Sequence, residues 1–517
     1  MVKFLRSQPV FILALVLLWR VLLLVFTVQP IPANDAFGYD GAVVNYLHGG
    51  RYCNPSFALL FPISGRELYA TYPPLYQAVL LGWMKLFGTT VISSMALHLA
   101  LFAGSGFLTL AILKKYFPAA AGASVVVLLL FGLTFADRPE SLAYVFGLGA
   151  LGLVLRQISE TAFRPLPALA LLAMLWLTLY TSVIVGAYFF GVGLLACAAA
   201  CFWRRNWLWF TPFIGAAVLF AVVTGCIVRF EPLWWAGFME SARQQSVMST
   251  GFHRPSVTDL VKLIRTAPVF LLGAAALPAI VARRREILSQ PSAWLALSAG
   301  IFAMGWVLLA VSVTLLASNY VNYVVFTQII LAAALLALAQ KYFPAREKLL
   351  RAGLGLAVLL VSVRAIGLTT WGAACAWKNS YQSTEAVLRT ELAPYVNSDR
   401  PVLISSAFLY QAVDMGVKNP IHSDWYFDHA FWTNNVQMNG LIRCQPPRLV
   451  LTQFDYYRGF EVPLEQLGQR PDLVTVRVRD LARVRPPDAA AWSRRIVQHL
   501  SWAPVIVDLD WKKPPGS

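Results

Sequence analysis

The sequence predicts an all-α polytopic membrane body of about 11 transmembrane helices, followed by a C-terminal α/β domain outside the cytoplasm. Three observations carry this expectation. The 517 residues are 58% hydrophobic and 13% charged, with a mean hydropathy of +0.62, whereas a soluble domain carries about a quarter of its residues charged. Apolar runs of about 20 residues, enough to cross ~30 Å of hydrocarbon, recur from residue 9 to residue 370 and then stop. From about Trp377 onward the composition turns soluble, with short β-rich runs between helical patterns.

The net charge of +17 would point to nucleic acid in a soluble protein. Here the basic residues fall in short connections between apolar runs, which reports topology and excludes a nucleic-acid reading. Lys114 and Lys115, Arg164, Arg204 and Arg205, Arg283 to Arg285, and Lys341, Arg346, Lys348 and Arg351 all come to one side when the spans are counted in register. Six cysteines are present, with no CxxC pair or His-rich neighbour that would suggest zinc. A disulfide among Cys53, Cys375 and Cys444 is permitted by an extracytoplasmic setting.

Lys3 and Arg6 precede the first apolar run, Pro9 to Val28, and no small-residue cleavage site follows, so it reads as an uncleaved first helix with its N-terminus inside. Arg20 within it is costly in lipid unless paired or facing an aqueous cavity, which leaves a structural ion pair and a functional role both open. The 29–77 connection is then the first outer loop. Pro73 to Gly88 is short and opens on two prolines, and counting it as a span would reverse the charge asymmetry, so it reads as an interfacial or re-entrant helix. The remaining spans are expected at 91–113, 119–135, 141–158, 165–181, 183–203, 207–228, 266–283, 292–317, 320–340 and 352–370. This register puts the first loop, the Asp137 to Glu140 turn, the 229–265 loop, the Ser318 to Tyr320 turn and the tail on the outer side. The domain division is a membrane domain over 1–376 and a soluble domain over 377–517. In the latter, strands are expected at Pro401 to Ser406, Arg448 to Phe454, Leu473 to Val478 and Val505 to Asp510, with helices at Ser383 to Tyr395 and Ala489 to Leu500.

Candidate chemistry gathers on the outer side. Asn34 and Asp35 precede a short helix expected over Ala36 to Gly49, where Tyr39, Val43 and Tyr46 share one face. Asp35 fits an N-cap, and a carboxylate fixed at a helix start is equally a well-oriented base. Asp137-Arg138-Pro139-Glu140 opens a span and reads as a capping-box variant, with Asp137 as N-cap, Glu140 at the third helical position and Pro139 in the first turn. Two acidic clusters from distant parts of the chain meeting on one face would also make an acid and base pair or a metal site. Arg66, Arg138, Arg229, His253 and Arg254 are the anion binders on that side. Singly each reads as a solvated or headgroup-facing charge; together they suit a phosphate-bearing lipid, because a guanidinium holds phosphate oxygens bidentately. Trp234, Trp235, Tyr320 and Tyr323 read as aromatic-belt residues.

The segments PANDAFGYDGAVVNYLHGG, YPPLYQAVLLGWMKLFG, RPESLAYVFG and SNYVNYVV, in this order and sidedness, resemble the GT-C membrane glycosyltransferases. The branch they are most similar to holds the bacterial relatives of protein O-mannosyltransferase and of the lipid A aminoarabinose transferase. The likeness covers most of residues 9–370 and, more loosely, the tail. It implies transfer of a hexose or pentose from a polyprenyl-phosphate carrier to an acceptor hydroxyl on a lipid, glycan or protein, with inversion, at the outer face of a bacterial inner membrane.

On this resemblance Asp35 matches the first-loop general base, Glu140 the acid that opens a later span, and Tyr320 a tyrosine near the donor. Two positions depart from the pattern: Ala36 stands where many relatives carry a second acid, and Tyr72 where the aminoarabinose branch carries a lysine near the carrier phosphate. Arg66, Arg138 or Arg254 would then serve the phosphate. The chemistry asks for a base on the nucleophile, cations at the departing phosphate and exclusion of water, and a carboxylate such as Glu140 would steady an oxocarbenium-like transition state. No cofactor or metal ligand is assigned, and a divalent metal stays an open alternative. The rival reading is a transporter or lipid flippase, whose pointer, a matched pair of Gly/Pro-broken spans in repeated halves, is absent from the sequence.

Overall fold

The computed structural model describes residues 9–29, 31–32, 36–58, 61–117, 138–160, 162–248, 284–287, 379–423, 441–442, 444–482 and 501–512, with single positions at 298, 348, 352, 367 and 377. Six predicted spans coincide with helices: α1 (Pro9–Thr27), then, after the loop elements, Val91–Tyr116, Glu140–Ser159, Pro165–Thr181, Val183–Arg204 and Thr211–Phe230. The spans expected at 119–135, 266–283, 292–317, 320–340 and 352–370 lie outside the described residues. Among the described residues, four helices are long and apolar enough to cross a membrane: Pro9–Thr27, Val91–Tyr116, Glu140–Ser159 and Trp207–Phe230. The chain is an integral membrane protein.

The first loop folds into α2 (Ala36–Leu47), a 3₁₀ turn at Pro55–Phe57, α3 (Pro62–Arg66) and α4 (Leu75–Phe87). At 13 residues, α4 is about 20 Å long, too short to span, which agrees with the re-entrant reading of Pro73 to Gly88. The apolar helices that follow are α5 (Val91–Tyr116), α6 (Glu140–Ser159), α7 (Pro165–Thr181), α8 (Val183–Arg204) and α9 (Thr211–Phe230). Here α6 packs against α5, α7 and α8, and α9 packs against α7. Ile214, Val218 and Val222, four residues apart on α9, are each more than half exposed, as a lipid-facing stripe requires. The stretch read from sequence as a 229–265 loop contains a further helix, α10 (Pro232–Met248), which packs on α9 and α3.

The tail begins with α11 (Tyr381–Leu392) and continues through β1 (Val402–Ile404), α12 (Ser406–Asp414), β2 (Pro420–His422), β3 (Arg448–Thr452), α13 (Glu461–Gly468), β4 (Val474–Asp480) and β5 (Pro504–Trp511). The sheet order is β2-β1-β3-β5-β4, parallel among β2, β1 and β3 and antiparallel from β3 through β5 to β4. Four strands and the first helix match the sequence expectation. The short strand β2 and the helices α12 and α13 were not foreseen, and the helix expected at Ala489 to Leu500 lies outside the described residues. Edge strand β4 carries Arg477 and Arg479, charges that discourage edge-to-edge pairing.

One hydrophobic core joins loop and tail. Phe37, Val43, Tyr76 and Leu80 from the loop region pack in the same cluster as Phe408, Val413, Val450, Trp502 and Ile506 from the tail. The Trp502 indole donates to the Val28 carbonyl at 3.1 Å, satisfying an acceptor at the end of α1. Val28 has a φ of 49°, a conformation that costs a β-branched residue about 1–3 kcal/mol, and this contact with the tail is what the surrounding fold offers in return. Close approach also fixes Gly41: a Cβ there would lie 2.6 Å from the Asn54 amide and from the Phe37 ring. Asn54, fully buried, donates to the carbonyls of Phe37 and Gly38 and accepts from Ser56, which staples α2 to the following turn.

Candidate active site

The start of α6 meets the first loop at a corner built from Tyr39, Tyr72, Arg138 and Glu140. Tyr72 donates its hydroxyl to Glu140 Oε1 at 3.1 Å. Arg138 Nη2 donates to the Tyr39 hydroxyl at 2.6 Å, and Arg138 Nε lies 3.8 Å from Glu140 Oε2. The Tyr39 and Tyr72 rings meet edge to face at 4.9 Å. Glu140 is 2% exposed and Arg138 18% exposed, so the corner has a buried carboxylate with a partly open guanidinium beside it.

The capping-box expectation is corrected here. Pro139 is the N-cap of α6 and Glu140 is the first helical residue, so Glu140 sits too early to reach back to an N-cap amide. Its side chain is turned to Tyr72 and Arg138 instead. A proline opening suits a helix start, because its missing N–H has no intrahelical partner there in any case. An acid in the first turn also lies at the favourable end of the helix dipole.

Of the other residues expected at the site, Asp35, Asp137, His253, Arg254 and Tyr320 lie outside the described residues. Asp35 directly precedes Ala36, where α2 begins. Arg66 is exposed at the C-terminal end of α3 and takes no part in the corner. Arg20 is buried in α1 at 7% exposure. The permitted Cys53–Cys444 disulfide is not formed, and Cys375 is outside the described residues.

A second carboxylate, missed in the sequence, lies one residue past Tyr39. Asp40 is fully buried and accepts hydrogen bonds from three hydroxyls: Ser94 on α5, Tyr410 on α12 at 2.7 Å and Tyr76 on α4 at 2.9 Å. Burial pushes its pKa up from 3.8 to about 6, against the opposing pull of the Ser94, Tyr410 and Tyr76 hydrogen bonds. Tyr69, whose hydroxyl donates to the Gly38 carbonyl at 2.9 Å, is held well above an ordinary tyrosine, chiefly by burial.

From Asp40 the polar contacts continue toward the corner. His98 Nε2 lies 3.0 Å from the Tyr76 hydroxyl, and His98 Nδ1 lies 2.8 Å from Ser141 Oγ, which donates to the Arg138 carbonyl at 2.8 Å. Two signals in the sequence could have found this set. Asp40 is an acid between Tyr39 and Gly41 in an otherwise apolar loop helix, and His98 is an ionisable residue inside a membrane span, which marks function by default.

Among the described residues, no group of His, Cys, Asp and Glu is placed to hold a metal ion. No protein-family model and no curated protein sequence matches the chain. Solved structures do. The crystal structure of ArnT from Cupriavidus metallidurans bound to undecaprenyl phosphate is similar over 97% of both chains, at 14% identity and a TM-score of 0.51. The oligosaccharyltransferase from Archaeoglobus fulgidus, in the apo form, is similar over 89% of this chain and 71% of its own, at 10% identity and a TM-score of 0.50. Likeness at such identity speaks to architecture, and the chain has the fold of the GT-C membrane glycosyltransferases, as its loop and span motifs imply.

Proposed function

We propose that the protein is a membrane glycosyltransferase that moves a hexose or pentose from a polyprenyl-phosphate carrier to an acceptor hydroxyl, at the outer face of the membrane and with inversion. The observation that carries this reading is the Tyr39–Tyr72–Arg138–Glu140 corner, formed between the first loop and the start of α6 in a GT-C fold. A partly open guanidinium beside a buried acid suits a reaction in which phosphate departs as positive charge develops on a sugar ring. The organisation proposed with it is a membrane domain over 1–376 and an extracytoplasmic domain over 377–517.

In the proposed reaction the acceptor oxygen attacks the anomeric carbon, forming the new glycosidic bond as the carbon–oxygen bond to phosphate breaks. The electron pair leaves with polyprenyl phosphate, steadied by Arg138. Asp35, next to the first residue of α2, takes the acceptor proton. Glu140 lies against the ring to balance oxocarbenium-like charge, with Tyr72 and Tyr39 fixing its orientation and that of Arg138. The neighbour from Cupriavidus metallidurans was crystallised with undecaprenyl phosphate, which supports that lipid as the carrier to try first.

The test uses purified full-length protein in nanodiscs and a panel of undecaprenyl-phosphate hexoses and pentoses, with release of undecaprenyl phosphate followed by mass spectrometry. Wild type is expected to consume at least one donor. Asp35→Asn should lower kcat by about 10²–10⁴-fold. Turnover equal to wild type would remove Asp35 as the base. A wild type that binds undecaprenyl phosphate yet moves it across a vesicle without consuming any sugar donor would favour a flippase.

A further inference from the structure

We infer that Tyr410 and Asp40 form a positioning pair through which the C-terminal sheet unit holds the Arg138–Glu140 corner in its reactive shape; this rests on the transferase reading of that corner. The tail reaches the first loop at several points. Trp502 donates to the Val28 carbonyl, the Phe37 amide donates to Ser406 Oγ at 3.1 Å, and the Phe37 and Tyr410 rings meet edge to face at 4.9 Å. Of the hydrogen bonds described between tail and α2, the one from Tyr410 ends on a buried carboxylate, bridging 370 positions of sequence.

Packing alone does not call for an acid there. A fully buried carboxylate pays desolvation that an apolar or amide side chain would avoid, so its presence calls for the bonds it collects. Those bonds come from three elements: α4 through Tyr76, α5 through Ser94 and α12 through Tyr410. Asp40 is thus the point where tail, re-entrant helix and membrane bundle meet. From there two routes lead to Arg138. One is the backbone of α2, since Tyr39 is the adjacent residue and its hydroxyl accepts from Arg138. The other is the side-chain series Tyr76, His98 and Ser141, which ends on the Arg138 carbonyl. A shift of Asp40 therefore moves both the side-chain and the main-chain contacts of Arg138, and Glu140 lies two residues further on.

The pair is open to measurement because its carboxyl titrates in an accessible range. The titratable groups facing Asp40 are Tyr76 from α4, His98 behind it on α5, Tyr410 from α12 and Tyr69 from the segment before α4; no ion pair to Asp40 occurs among the described residues. Each hydroxyl donor stabilises the carboxylate, so losing one raises the midpoint above its value of about 6. Protonation of Asp40 turns one carboxyl oxygen from acceptor to donor and forces one of its three hydroxyl partners to reorient, giving kcat an acid limb at that midpoint.

The experiment titrates full-length protein in nanodiscs by infrared difference spectroscopy, the Asp40 band being the protonated-carboxyl band that Asp40→Asn loses. The kcat and KM profiles against pH are read in parallel with the donor that passes the panel above. Tyr410→Phe keeps the ring against Phe37 and should raise the midpoint by about one pH unit. The acid limb of kcat should move by the same amount, kcat above it should fall about tenfold, and KM should stay put. Ser94→Ala removes a second donor and carries the same expectations, so the outcome does not hang on one variant folding. Thr390→Ala, on the exposed face of α11, should change neither reading. An unchanged midpoint, or a moved midpoint with a wild-type kcat profile, overturns the positioning role while leaving the transferase reading intact. A wild type that consumes no donor overturns both, and it does so before any variant is compared.

Discussion

Glu140 and Asp40 are both buried carboxylates that accept from tyrosine hydroxyls, yet their surroundings differ in kind. Asp40 is closed in by three hydroxyl donors from three elements, with no cation among the partners described for it. Among the partners described for it, Glu140 has a tyrosine hydroxyl and, at 3.8 Å, the guanidinium of an arginine that is itself partly exposed. A carboxylate whose oxygens are committed to hydroxyls on separate elements holds those elements in register. A carboxylate beside an accessible cation can exchange partners as charge moves. The comparison teaches that burial does not by itself separate a reacting acid from a structural one; the kind of partner around the carboxylate has to be read as well.

The contrast can be broken or sharpened by stability measurements. The largest expected effect is on pH dependence. The folded-state pKa of Asp40 lies above its ordinary value of 3.8, at about 6, so the fold favours the protonated acid. Its contribution to stability is fully present below about pH 3.8 and is lost as pH rises through about 6, a change of about 3 kcal/mol. Melting profiles from pH 4 to pH 7 should therefore fall for wild type by a component that Asp40→Asn lacks; parallel profiles would mean that Asp40 is not desolvated as the structure has it. A smaller effect is expected at Gly41, where a Cβ collides with Asn54 and Phe37. Gly41→Ala should cost about 1–3 kcal/mol by overpacking, read as a lower melting temperature, and wild-type melting would contradict the close packing of α2 on the 53–57 turn.

Much of the architecture was legible because its signals are local. Long apolar runs located α1 and α5 to α9, the Pro73-Pro74 pair demoted α4, and alternating β-branched residues located four of the five strands. The elements that were missed carry weak local signals. Strand β2 has three residues and begins with Pro420, which by pattern alone argues for a turn. Helix α10 is Trp-rich in its first half and polar in its second, so it gave no clean period and read as loop.

The site divides in the same way. Arg138, Glu140 and Tyr72 were found by charge, position and resemblance, and the structure brings them together. Arg66 was placed with them on sidedness alone, and side of the membrane is too coarse a coordinate to define a contact. Asp40 was missed because its meaning lies in Tyr410, hundreds of residues away, and no spacing rule reaches that far.

The central claim is that the Glu140 corner is where chemistry happens and the Asp40 pocket is where shape is kept. Its most direct test is turnover and melting of Glu140→Gln measured side by side, in nanodiscs, with an undecaprenyl-phosphate sugar that wild type consumes. The account predicts that kcat falls by about 10²–10³-fold while the melting temperature stays within the range of wild type. Turnover equal to wild type, or a loss of activity matched by a loss of folding, would contradict it.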